Sequence, residues 1–169
     1  TNNAVISTTA TGGGEHRMAG IVGYTLNGTI SISGCTNNGE IKATGTAKNP
    51  RPAGIVSVVG SAISISGCYN KAKISNASTT GTIYAGGIVA YSKGASISDC
   101  HNQASVEVTK CGGTVRMGGV AGHMITSGVL TGSTNSAEVT CAANTTNGEC
   151  QVGGIIGYTS NNTTVTNAY

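Results

Sequence analysis

A short pattern, a glycine followed by two aliphatic residues and a small one, recurs along this chain. It reads "GIVGY" from Gly20, "GIVSV" from Gly54, "GIVAY" from Gly87, "GVAGH" from Gly119 and "GIIGY" from Gly154. The steps between copies are 34, 33, 32 and 35 residues. Behind each copy comes a polar turn, an alternating segment ("TISIS", "AISIS", "ASIS", "GVLT", "TTVT") and a second turn at Cys35, Cys68, Cys100, Ser133 or Ala168. A shorter segment ("EIK", "KIS", "VEV", "EVT") and a variable Gly/Thr/Asn loop complete the unit. A unit this small cannot bury a hydrophobic face alone, so it must stack on its neighbours.

The alternation has the two-residue period of strands, and no window shows the period of a helix. Stacked about 4.8 Å apart, each strand pairs with its counterpart in the next coil. The expected fold is therefore all-β, a parallel β-solenoid of about five coils, roughly 33 residues per coil and three to four short strands per coil. Residues 1–169 form a single solenoid domain, with repeats at about 1–35, 36–68, 69–100, 101–133 and 134–169. Ile32, Ile65, Ile97, Leu130 and Val165 share one column and should point inward. Ser33, Ser66, Ser98, Thr131 and Thr166 lie beside them and should point out. Each buried aliphatic contributes about 1.5–3 kcal/mol, so no coil is expected to stand alone. The first and last segments align with the middle of a repeat, and the expectation is a piece of a longer array.

Composition agrees with a thin cross-section. The chain holds 27 glycines, no Phe and no Trp, and only 9% of its residues are charged. Large aromatics fill thick cores, whereas Ile, Val, Ala and Gly suit a narrow coil. The net charge of +3 comes with no Lys/Arg cluster, which argues against nucleic acid as a partner. No apolar run approaches the roughly 20 residues that span a bilayer, so membrane insertion is not expected.

The unit "GGIVAYSKGASISDCHNQASV" (Gly86–Val106), with "AGIVGYTLNGTISISGCTNNGEI" (Ala19–Ile41) and "GGIIGYTSNNTTVTNAY" (Gly153–Tyr169), resembles the GLUG-type repeats. These occur in large surface and secreted proteins of bacteria, notably Bacteroidetes and Firmicutes. The resemblance covers essentially the whole chain and implies an adhesin-like β-solenoid at the cell surface. It carries over no catalytic residue, because the family's motif is structural. The fourth unit departs most, since "GHMITSGVLTGSTNS" (Gly122–Ser136) lacks the cysteine.

Several columns invite a chemical reading. Cys35, Cys68 and Cys100 share a position, but no C-x-x-C pair accompanies them and stacking does not converge four ligands on one point. They read as a structural ladder of small apolar thiols. Cys141 and Cys150 flank "AANTTNGE" and are candidates for a disulfide in an exported protein; Cys111 bonded to either one is the alternative. Tyr24, Val58, Tyr91, His123 and Tyr158 form an aromatic column suited to packing a corner or to covering a sugar face. Arg17, Arg51, Tyr84, Arg116 and Gln151 form another, and its guanidiniums could fork onto carboxylates or sulfates of a glycan or a host or matrix protein.

Nothing argues for catalysis, a metal or a cofactor. Glu40 and Glu138 share a column but sit three coils apart, roughly 14 Å, beyond the reach of a glycosidase carboxylate pair. No nucleophile elbow or phosphate loop is present. The leading expectation is an extracellular or cell-surface solenoid that acts as a spacer or adhesin-like module without enzymatic activity. A carbohydrate-binding module using the aromatic or arginine column stands as the alternative. A non-catalytic segment of a polysaccharide-degrading β-helix protein, or a subunit of a head-to-tail filament joined through uncapped coils, are the others.

Overall fold

The computed structural model describes residues 1–78, 80–142 and 148–169. These residues build a parallel β-solenoid of about five coils, and no helix occurs among them. Four ladders run the full length. The first stacks Ile6–Thr8, Ile41–Ala43, Ile74–Asn76, Val106–Val108 and Val139–Cys141. The second, here the arginine ladder, stacks His16–Ala19, Pro50–Ala53, Ile83–Gly86, Val115–Gly118 and Cys150–Gly153. The third, the tyrosine ladder, stacks Val22–Tyr24, Val56–Val59, Val89–Lys93, Ala121–Ile125 and Ile156–Thr159. The fourth stacks Ile30–Ser33, Ile63–Ser66, Ser96–Ser98, Val129–Thr131 and Thr164–Thr166. A fifth ladder of two-residue strands joins Thr36–Asn37, Tyr69–Asn70, His101–Asn102 and Thr134–Asn135.

Register follows the sequence columns. Ile32 pairs with Ile65, Ile65 with Ile97, Ile97 with Leu130 and Leu130 with Val165. All but Val165, in the last coil, are buried. The turn that follows this ladder uses Gly34, Gly67, Asp99, Gly132 and Asn167, all with φ between 49° and 59°. Left-handed backbone is tolerated best by Gly, Asn and Asp, so the alternation between "SGC" and "SDC" is a single conformational requirement met by different residues.

The cross-section holds two hydrophobic cores rather than one. Ile55, Val59, Ile65, Ile88, Ile97, Met124 and Leu130 belong to the core behind the tyrosine and fourth ladders. Ile41, Ile74, Ile83, Val106, Val115 and Met117 belong to the core between the first and arginine ladders. The waist between them is polar. Asn37, Asn70 and Asn102 are completely buried there, and each side-chain amide donates to the next one along: Asn2 to Asn37 at 2.8 Å, Asn37 to Asn70 at 2.9 Å, Asn70 to Asn102 at 2.8 Å and Asn102 to Asn135 at 2.8 Å. Each also donates to the carbonyl two residues on, those of Ala4, Gly39, Ala72, Ala104 and Ala137. A buried amide must be satisfied, and the stack does this by repetition.

The recurrent glycine faces this asparagine. Gly20, Gly54, Gly87 and Gly119 each donate a backbone hydrogen bond of 3.1 Å to the glycine of the next coil. A Cβ on Gly87 would stand 2.2 Å from the Gly119 carbonyl oxygen and 2.3 Å from the Asn102 side chain. Glycine is required because the waist is too narrow for any side chain opposite the amide. Only two residues at this waist connect the arginine ladder to the tyrosine ladder, and the chain bends sharply there. Behind the bend the two ladders touch: a Cβ on Gly122 would lie 2.6–2.8 Å from the backbone of Ala85 and Ala90.

Candidate functional site

That bend brings two sequence columns together. Arg17, Arg51, Tyr84, Arg116 and Gln151 point outward from the arginine ladder, with Arg17 beside Arg51, Tyr84 beside Arg116 and Arg116 beside Gln151. Tyr24, Val58, Tyr91, His123 and Tyr158 point outward from the tyrosine ladder in matching order. In the sequence they read as two separate faces. In the fold Arg17, Arg51 and Tyr84 on one side and Tyr24, Val58, Tyr91 and His123 on the other wall a groove of about 400 Å³, which Glu15 and Lys93 also line. Arg116, Gln151 and Tyr158 continue the two rows beyond it.

Cations and rings alternate along it. The Arg17 guanidinium lies 4.0 Å from the Tyr24 ring centre. Arg51 lies 5.1 Å from Tyr84 and 4.8 Å from Tyr91, whose rings stack on each other at 5.4 Å. Arg116 lies 5.7 Å from Tyr84 and 4.1 Å from Tyr158. Stacking occupies the face of a guanidinium and leaves its in-plane N–H donors available.

The charges are placed unequally. Glu15 is engaged by two guanidiniums: Arg17 donates to Oε2 through Nε at 3.2 Å and Nη2 at 2.8 Å, and Arg51 forms a second ion pair with Oε1. Arg116 has no ion-pair partner among the described residues. Its neighbours are neutral: Nε donates to Gln151 Oε1 at 2.8 Å, and Nη1 lies 3.5 Å from the Tyr84 hydroxyl and 3.3 Å from His123 Nδ1. Glu149 connects to it only through Gln151, whose amide donates to that carboxylate at 2.9 Å. Arg17, Arg51, Arg116 and Lys93 against Glu15 and Glu149 give this face +2 of the chain's formal charge of +3.

His123 is 6% exposed. Burial and the positive charges of Arg116 and Arg51 push its pKa down to about 4, so the ring is neutral at pH 7. With Nδ1 accepting from Arg116, the proton sits on Nε2. That N–H is buried without an acceptor, as is Nε of Arg51. The ring stands edge-on to Tyr91 and Tyr158, which offers Nε2–H at best the weak acceptor of a ring face. Burial also raises the Tyr91 pKa, keeping that hydroxyl protonated.

The remaining candidates lie elsewhere. Cys35, Cys68 and Cys100 stack within the larger core as free thiols. The Cys100 thiol is held protonated by its hydrogen bond to Cys68 and by burial, and burial raises Cys35 as well. Cys141 and Cys150 are joined in a disulfide with Cα atoms 6.7 Å apart, and Cys111 is a free, buried thiol. Residues 143–147, inside the loop that this disulfide closes, lie outside the described residues. No group of three His, Cys, Asp or Glu among the described residues is placed to hold a metal. No helix there is long and apolar enough to cross a membrane.

Glu15 and Lys93 belong to the groove and escape a reading by columns. The signal for Glu15 was nonetheless present: residues two apart in a strand share a face, and Glu15-x-Arg17 recurs as Glu149-x-Gln151. Compared with protein families, with curated proteins and with solved structures, the chain finds no match.

Proposed function

We propose that this protein is a non-catalytic, extracellular or cell-surface interaction module whose binding face is the groove between the arginine and tyrosine ladders, and that it binds anionic polymers there. One observation carries the reading. Arg17, Arg51 and Lys93 line one aromatic-walled groove against a single carboxylate, Glu15, and Arg116 extends this positive row on the same face through Tyr84 and His123. A spacer needs no such concentration, and a groove lined by one sign of charge focuses field on an oppositely charged ligand. Glu15, the one carboxylate lining the groove, is engaged by two guanidiniums, which suits it to charge compensation rather than to proton transfer. The Cys141–Cys150 disulfide supports an oxidising compartment, and the GLUG-type resemblance supports a bacterial surface setting.

The test is retention on immobilised polymers: a polyuronate, a sulfated polysaccharide and poly-glutamate, with a neutral glucan as control. The expected result is binding to at least one anionic surface, weakening as salt rises and lost in the double variant Arg51→Gln, Arg116→Gln with its thermal melt preserved. Equal retention by wild type and variant would leave only the spacer role.

A further inference from the structure

We propose that the half of the groove around Arg116 is a carboxylate site, and that its ligand is a hexuronic-acid unit of an acidic polysaccharide; this rests on the groove being the binding face. The same groove supplies the precedent. In its first half an internal carboxylate, Glu15, bridges the guanidiniums of Arg17 and Arg51 from adjacent coils. In the third and fourth coils the positions equivalent to Glu15 are Thr82 and Thr114, and Glu149 of the fifth coil is engaged by the Gln151 amide, so no carboxylate among the described residues touches Arg116 directly. A half-buried guanidinium surrounded by Tyr84, His123 and Gln151 is incompletely compensated.

The donors there fit a planar oxyanion. Nη2 of Arg116 makes no hydrogen bond among the described residues, and the Tyr84 hydroxyl, which accepts from Arg116, keeps its own proton to donate. Nε of Arg51 and Nε2 of His123 are donors without an acceptor but are fully buried, so the carboxylate meets Nη2 of Arg116 and the Tyr84 hydroxyl rather than these two. The occupant is better a sugar than a peptide. The strands that carry Arg51, Tyr84 and Arg116 are hydrogen-bonded to the coils on both sides, so they offer no free edge for main-chain pairing. Ring faces and polar side chains such as Asn27 and Lys93 line the approach instead.

The experiment is calorimetric titration of the full chain with polygalacturonate, with its methyl ester, with a sulfated galactan and with poly-glutamate. Wild type should bind polygalacturonate, and the ester, which keeps the rings but loses the charge, should bind at least tenfold more weakly. Arg116→Gln should cost roughly tenfold, as expected for a charge-assisted forked contact. Arg116→Lys, a milder variant should the first fail to fold, should recover only part of this because an ammonium has no planar fork. Glu15→Gln, which frees Arg51, should bind about two- to fivefold more tightly. Equal binding of acid and ester, or an Arg116→Gln affinity within about twofold of wild type, would overturn the carboxylate site. Binding only to the sulfated galactan or to poly-glutamate would overturn the uronate assignment and leave the groove as the binding face. Binding to none of the four would overturn both.

Discussion

Two ladders run side by side inside this solenoid, and they differ in what they tolerate. The cysteine ladder, Cys35, Cys68 and Cys100, continues as Ser133 and Ala168. The asparagine ladder two residues on, Asn2, Asn37, Asn70, Asn102 and Asn135, has no substitution in any of its five positions. Thiols are weak donors, and here they reach carbonyls of their own coil at 3.2–3.5 Å and of the preceding coil at 3.7–3.8 Å. The amides of Asn2, Asn37, Asn70 and Asn102 donate two bonds each at 2.8–3.0 Å, one to the next coil and one within their own. A thiol fills space that a hydroxyl or methyl can also fill. An amide in the waist between two apolar cores has no substitute that both donates and accepts in line.

The largest expected effect tests the wall opposite the asparagines. Gly87→Ala places a Cβ within 2.2–2.4 Å of the Gly119 carbonyl and the Asn102 amide. A loss of about 4 kcal/mol or more should follow, seen as collapse of the cooperative urea transition; a melt like wild type would mean the waist can widen. Asn70→Ala comes next. It removes the bonds to Asn102 and to the Ala72 carbonyl and strands the Asn37 amide, for about 3 kcal/mol in a denaturant titration.

Acid separates the asparagine ladder from the groove, because asparagine does not ionise, whereas the cysteine ladder is mixed: burial raises Cys35, the hydrogen bond to Cys68 raises Cys100, and the hydrogen bond from Cys100 lowers Cys68. His123 is the group to watch. Its folded pKa of about 4 lies below the ordinary 6.5, so the unfolded chain takes up this proton first. Its contribution is therefore complete above about pH 6.5, falls as pH drops towards about 4, and is level below that. The loss should reach about 2–3 kcal/mol in melts across that window, and His123→Gln should flatten this slope. The smallest effect is Cys100→Ser, about 1 kcal/mol or less. Ser133 already shows how a hydroxyl fits the column, donating to the Thr131 carbonyl and accepting from the Cys100 amide at 3.1 Å. A Cys100→Ser loss equal to that of Asn70→Ala would erase the distinction between the ladders.

Much of this fold is legible in the chain. The inward Ile column, the register of the arginine and tyrosine columns and the length of the coil all follow from like residues stacking on like. The asparagine ladder was equally visible in its spacing but hidden by its chemistry, since "TNN", "YN" and "HN" after a turn read as more turn. Glu15 was hidden for the opposite reason. It lies at the end of a variable loop, Thr9–Glu15, where periodic reading stops.

The sequence alone determined the solenoid, because a two-residue alternation repeated every 33 or so residues leaves parallel stacking as the way to bury its aliphatic side chains. It also determined which residues share a rung. What only the tertiary structure decided is the angle between rungs. Periodicity describes positions along the axis and says nothing about the bend within a coil. That bend is set by Gly87 and its counterparts packing against buried amides that arrive from a distant part of the same coil. Because it turns inward there, two columns that face away from the cores face each other, and a row of arginines and a row of tyrosines become one groove.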